Sequence, residues 1–113
     1  MTDQVVSYPF ADADVKAQVA SASPIAVTIQ NQETVLPIAQ LTANATLNLT
    51  IGAGLRAGAN LTIKTSVDGT NRTLTHGTGL TGNAQVLTAN KSYIMRYYFD
   101  GTTFNHVATN LLN

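Results

Sequence analysis

The sequence predicts an all-β, single-domain protein, an antiparallel β-sandwich or jelly roll with an N-terminal arm, and three observations predict it. From Pro24 onward, short apolar runs alternate at period two with Thr and Asn, the pattern of half-buried strands. Gly-rich and Asp-Gly segments separate these runs, as turns would. A length of 113 residues suits one core, and counting runs gives about seven or eight short strands, enough for two packed sheets.

The first 24 residues read differently from the rest. Tyr8-Pro9-Phe10 and Ser23-Pro24 mark extended or turning backbone, because proline fixes its own φ and restricts the residue before it. Between them ADADVKAQVA is compatible with a short helix, and residues 1–24 are read as an arm, with 25–113 as the β-domain. The first strand is Ala26–Gln30, followed by a polar turn and a second run, Thr34–Pro37. Pro37 has no N–H to give a ladder, so this run is short, lies at an edge, or ends there.

The clearest alternation places Leu47, Leu49 and Ile51 on one face and Thr46, Asn48 and Thr50 on the other. A one-residue slip would bury the polar set, so the register is well specified. A small-residue connection from Gly52 to Gly58 leads into Asn60–Val67, where Leu61, Ile63 and Val67 share a face. Asp68-Gly69 then signals a tight turn, with Arg72–His76 as the returning strand of a hairpin. Gly77, Gly79 and Gly82 punctuate a loop before Ala84–Leu87. The chain ends in an aromatic hairpin, Lys91–Phe99 and Phe104–Ala108, turning at Asp100-Gly101. Leu-Thr-Ala-Asn occurs at 41–44 and 87–90, and Asp-Gly-Thr at 68–70 and 100–102. The gaps differ, which reads as reused turn chemistry and not as a solenoid repeat.

Composition narrows the function classes. Charged residues are 11 % of the chain and the formal net charge is zero, about half the usual charged share. The six cations, Lys16, Arg56, Lys64, Arg72, Lys91 and Arg96, are scattered singly, so no run of them could neutralise phosphates or hold an anionic membrane. Neither nucleic acid nor a membrane is expected as a partner. With no cysteine there is no disulfide, thiolate metal site or Cys nucleophile. The N-terminus has no apolar run of secretory type and no stretch reaches the length of a membrane span, so synthesis and assembly in a cytoplasm are expected.

No catalytic or metal constellation stands out, and the chain reads as a non-enzyme without a cofactor. His76 and His106 are the two histidines, each in a strand without a ligand-spaced neighbour, and read as structural. Asp68 and Asp100 open Asp-Gly turns, where the carboxylate caps its own backbone, which outweighs a carboxylate-pair role. Gly77-Thr78-Gly79-Leu80-Thr81-Gly82 matches the spacing of a dinucleotide fingerprint but lacks the helix that would aim amides at pyrophosphate. Asn-x-Ser/Thr sequons at 44, 48, 60, 71 and 90 follow from a chain rich in Asn and Thr. Thr73 and Thr75 share a strand face, as in ordinary solvent-facing β-Thr, and about half of Tyr93, Tyr97, Tyr98, Phe99 and Phe104 should point inward as core.

The run from Leu41 to Gly82, the Lys-Ser-Tyr strand at 91–93 and the terminal YYFDGTTFNHV hairpin resemble the β-domain of short head-decoration and head-fibre proteins of tailed bacteriophages. The resemblance covers residues 25–109 and consists of turn and alternation patterns. It implies a virion protein on the capsid surface, commonly a homotrimer, that partners the major capsid or another virion protein through its N-terminal segment. Val5, Val6, Tyr8, Pro9 and Phe10 would make that attachment. Phe in place of Trp in the last hairpin, and no long shaft, favour a compact knob. The alternative is a carbohydrate-binding module for a host glycan, using Tyr98, Asp100, Thr102 and Thr103 with the loop at 77–82.

Overall fold

The computed structural model describes residues Asp14–Leu112. Its strands are β1 (Asp14–Val15), β2 (Ile25–Ile29), β3 (Glu33–Pro37), β4 (Ala45–Ile51), β5 (Asn60–Ser66), β6 (Arg72–His76), β7 (Leu80–Thr81), β8 (Gln85–Leu87), β9 (Ser92–Phe99) and β10 (Phe104–Leu111). They form a six-stranded sheet in the order β1-β3-β5-β9-β10-β7 and a four-stranded sheet in the order β2-β4-β6-β8. Consecutive strands through the first half lie in opposite sheets, and each pairs in parallel with the strand one coil later.

The antiparallel sandwich or jelly roll expected from sequence is therefore wrong. The chain is a β-solenoid of about four turns with mostly parallel strands. The alternation was sound evidence for half-buried strands but is silent on which strand pairs with which. Asp68-Gly69 shows why. A tight hairpin needs two loop residues, whereas β5 and β6 are separated by residues 67–71. Asp68 accepts hydrogen bonds from the Thr70 amide (3.3 Å) and from the Arg72 guanidinium (3.0 and 2.8 Å), so the segment is a corner that carries the chain to the other sheet. The terminal hairpin does form, with Phe104 opposite Phe99.

A solenoid was missed because its coils are unequal. Residues in register lie 20 apart from Asp14 to Thr34, 22 from Ile25 to Leu47, 27 from Thr34 to Leu61 and 29 from Ala45 to Leu74. The two Leu-Thr-Ala-Asn strings nonetheless stack along one edge of the solenoid, with Asp68–Asn71 between them. Leu41 bridges Val67, and the Asn90 amide donates to the Asp68 carbonyl at 2.8 Å. The second string is met in the opposite chain direction, since β8 and β9 run antiparallel to β6 and β5. Residues 14–19, read as part of a short helix, lie instead along the edge of the larger sheet: β1 pairs with β3, and Val19 bridges Ile38. Residues 1–13, including Val5, Val6, Tyr8, Pro9 and Phe10, lie outside the described residues.

The core is the space between the sheets. Ile25 stacks on Leu47, Ala45 on Leu74, Leu61 on Tyr97, and Leu36 on Ile63 and then Met95, and all of these are buried. Each such side chain stabilises by roughly 1.5–3 kcal/mol on leaving water, and no coil could bury its face without its neighbour. Outward positions on β4 and β5 are polar, with Thr46, Asn48 and Thr50 on the first and Asn60, Thr62 and Lys64 on the second. Leu47→Ala, in the middle of a column, should destabilise by about 2–5 kcal/mol in urea unfolding, while Thr50→Ala on the exposed face of the same strand should stay within about 0.5 kcal/mol. Equal losses would refute the register.

Candidate functional site

The described residues bring the chemistry-bearing side chains together at one place, the end of the coil stack where the chain reverses. Four inward columns finish there in a polar residue: Leu47 is followed by His76, Leu74 by Gln85, Tyr97 by His106 and Met95 by Thr109. The alternation that buries Leu74 also turns His76 inward, and the one that buries Phe104 turns His106 inward. The pair was legible as inward-facing, but its meeting across the two sheets was not.

Hydrogen bonds join this layer. His76 Nε2 lies 2.6 Å from the Tyr97 hydroxyl, which in turn donates to Met95 Sδ at 3.7 Å. The direction of the bond to Nε2 follows the tautomer of the ring; the other ring nitrogen, Nδ1, is buried and has no hydrogen-bond partner. The Gly82 and Asn83 backbone faces the ring and favours its charged form, although neither group reaches hydrogen-bond geometry with Nδ1. His106 Nε2 is 2.7 Å from Thr109 Oγ1, and that hydroxyl donates to Gln85 Oε1 at 2.9 Å. The two imidazole centroids are 5.4 Å apart, and each is within 5.4 Å of the Tyr97 ring.

The environment keeps the layer neutral. Burial pushes the His76 pKa down, and the neighbouring His106 adds to this. Burial likewise lowers His106, and it raises the Tyr97 phenol. Gly82, at φ 148°, lets the backbone pass against both rings, since a Cβ there would fall 2.7 Å from His106 Cβ. The glycines read as a false nucleotide fingerprint thus serve the chain reversal. Gly79 has φ 79°, and its missing Cβ would meet the Leu49 carbonyl oxygen at 2.5 Å.

The residues proposed for a glycan are partly assembled. Thr81 and Thr103 hydroxyls meet at 2.8 Å and β7 pairs with β10, so the loops at 77–82 and 100–103 are neighbours. Tyr98 is 45 % exposed on the outer face opposite Asn60 and Asn105. Asp100 is committed to its turn: Oδ1 accepts the Thr102 and Thr103 amides at 2.8 and 2.9 Å, and these bonds hold its carboxyl below the usual range.

Four of the sequon asparagines carry contacts between coils that sequence reasoning overlooked, Asn60 by donating its side-chain amide to Glu33 at 2.8 Å. Asn44, Asn48 and Asn71 each accept a backbone amide from the next coil, those of Thr73, Thr78 and Ala89 at 2.9, 2.9 and 2.8 Å, and the Thr46 amide donates to Ser23 Oγ at 3.1 Å in the coil below. Elsewhere a cleft of about 240 Å³ lies between Gln18, Gln40, Lys64 and Ser66, smaller than the ~300–1,000 Å³ of typical small-molecule sites. Among the described residues no three His, Cys, Asp or Glu side chains converge as a metal site.

Comparison of the chain with protein-family models, with curated proteins and with solved structures finds no match. The end layer can donate and accept hydrogen bonds and can take up protons. Thr109→Val, which keeps shape but removes the hydroxyl shared by His106 and Gln85, should cost about 1–3 kcal/mol in chemical denaturation because two partly buried groups lose their partner. Thr81→Val, at a solvent-exposed contact, should cost under about 1 kcal/mol, so that a smaller loss at Thr109 than at Thr81 would contradict a structural layer.

Proposed function

We propose that this chain is a virion structural protein that decorates a capsid surface, held to the shell through its N-terminal segment and assembled as a homotrimer. The observation that carries this reading is the asymmetry of the solenoid. Both ends leave strands without an outer neighbour among the described residues, β7 and β8 at one and β1 and β2 at the other, but only the first carries antiparallel strands and a polar layer, while β1 and β2 end a parallel stack. An unpaired edge is a ready template for another chain, and β1, the first described strand, lies at that end. The low charge suits a surface meant to associate, because a neutral domain resists association weakly. The resemblance of its turn and alternation patterns to those of phage head proteins is in keeping with this reading. The function is then mechanical: each bound copy stabilises the shell by mass action.

A second reading rests on the adjacency of the Thr81 and Thr103 loops beside exposed Tyr98. An aromatic face with polar neighbours suits a sugar ring, and in this reading the knob adheres to a host glycan.

Light scattering of the full chain should give a trimer mass, and a monomer at high concentration would remove the homotrimer. Co-sedimentation with emptied shells of the encoding virus should show binding that falls at least about tenfold, about 1.4 kcal/mol, when Val5, Val6, Tyr8 and Phe10 are replaced by Ala. Unchanged binding would refute attachment through that segment. On a glycan array, binding that disappears with Tyr98→Ala would support adhesion, and an array without signal would eliminate it.

A further inference from the structure

We propose that the layer of His76, Gln85, His106 and Thr109 is an acid-sensitive latch: when both histidines take up protons, β10 is released from the end of the solenoid while the parallel coils below stay folded. This inference stands independently of the function proposed above.

The geometry offers the neutral rings good partners and the charged rings poor ones. From β9, Tyr97 faces His76 and His106; from β4, Leu47 lies beneath His76 in the column; from β8, Gln85 is bonded to Thr109; and each histidine faces the other. No carboxylate is among these groups. The described acids are engaged elsewhere: Asp14 with Lys16 at 3.0 Å, Asp68 with Arg72 at 2.8 Å, Glu33 with the Asn60 amide at 2.8 Å, and Asp100 with its turn. The cations Arg72 and Arg96 add nothing favourable, Arg72 being paired with Asp68 and Arg96 lying exposed on the outer face of β9. Two imidazolium rings with centroids 5.4 Å apart would repel each other in a partly desolvated site. Protonated His76 has no acceptor in hydrogen-bond geometry at Nδ1, and the Gly82 and Asn83 backbone beside the ring offsets its burial only in part.

The element that gives way is β10. Its Phe104 is buried, but Val107 and Leu111 are exposed, as is Leu112 just beyond it, so little apolar burial holds its C-terminal half. Beyond its ladder to β9 and a two-residue pairing with β7, the polar layer is what ties it to β8 and β6. Segments with few buried apolar contacts open at low free-energy cost.

The sign follows from linkage. Burial holds both histidines below the ordinary 6.5, so the unfolded chain binds more protons than the folded one just below that pH. Stability is complete above about pH 6.5 and is lost as pH falls toward the folded-state values.

Hydrogen exchange of the full chain, read by mass spectrometry at about pH 7.5 and about pH 5 and corrected for intrinsic rates, tests the latch. Peptides covering residues 104–111 should exchange at least about tenfold faster at the lower pH, with residues 45–51 changing much less. In a His76→Gln, His106→Gln double variant the difference should vanish. Protection of β10 that does not respond to acid, or a response that survives in the double variant, would overturn the proposal. Should that variant not fold, an NMR titration of the two imidazoles in the native chain decides instead. Both must titrate below 6.5, and either one at or above that value refutes the latch.

Discussion

Everything in this structure depends on the inward columns of aliphatic side chains staying in register from one coil to the next. A coil of twenty to thirty residues cannot bury its apolar face against itself, so each Leu or Ile draws its dry surroundings from the residue above and below. Leu36, Ile63 and Met95 illustrate the constraint, since the three are buried, lie in successive strands of one sheet and lose a neighbour if any coil slips. A slip of one residue would also expose the whole inward set of a strand. The corners reinforce the same register. Ser23, Asn44, Asn48 and Asn71 accept amides of the following coil, which lets loops of different lengths be inserted without loss of alignment.

A stack of this kind has two ends, and its apolar columns cannot stop at water. Here the chain closes one end by reversing direction. Three glycines from Gly77 to Gly82 allow the backbone to turn tightly against Leu49 and the histidine rings, after which β8, β9 and β10 cap both sheets. The columns end in His76, Gln85, His106 and Thr109, side chains with enough apolar surface to cover Leu and Tyr and enough polar edge to bond one another. The same layer holds both histidines, so closing the solenoid and the proposed response to acid become one structural problem. At the opposite end no described strand covers β1 and β2, as none covers β7 and β8 here, and the two ends differ in that only this one carries the reversed strands and the polar layer.

Much was legible in the residues. The all-β class, the strands around 26–29, 34–37, 46–51, 60–66, 72–76 and 93–99, the closing hairpin and the turn role of Asp100 follow from alternation and turn chemistry, which act over a few neighbours. Which faces are buried was equally readable, because period two places Leu47, Leu49, Leu61 and Ile63 together whatever their partners. Even the inward direction of His76 and His106 could be taken from Leu74 and Phe104 two residues earlier.

What tertiary structure alone decided is pairing. Parallel and antiparallel strands share the same local pattern, and register offsets ranging from 20 to 29 residues hid the repeat that would have revealed a solenoid. Asp68-Gly69 and Asp100-Gly101 look alike in sequence, yet the first is a corner between sheets and the second a hairpin turn. The encounter of two histidines thirty residues apart belongs to the same category. Local chemistry determines how each segment bends and which face it hides, but the free energy that chooses among pairings comes from burying one coil against another, a sum over distant contacts that no short stretch contains.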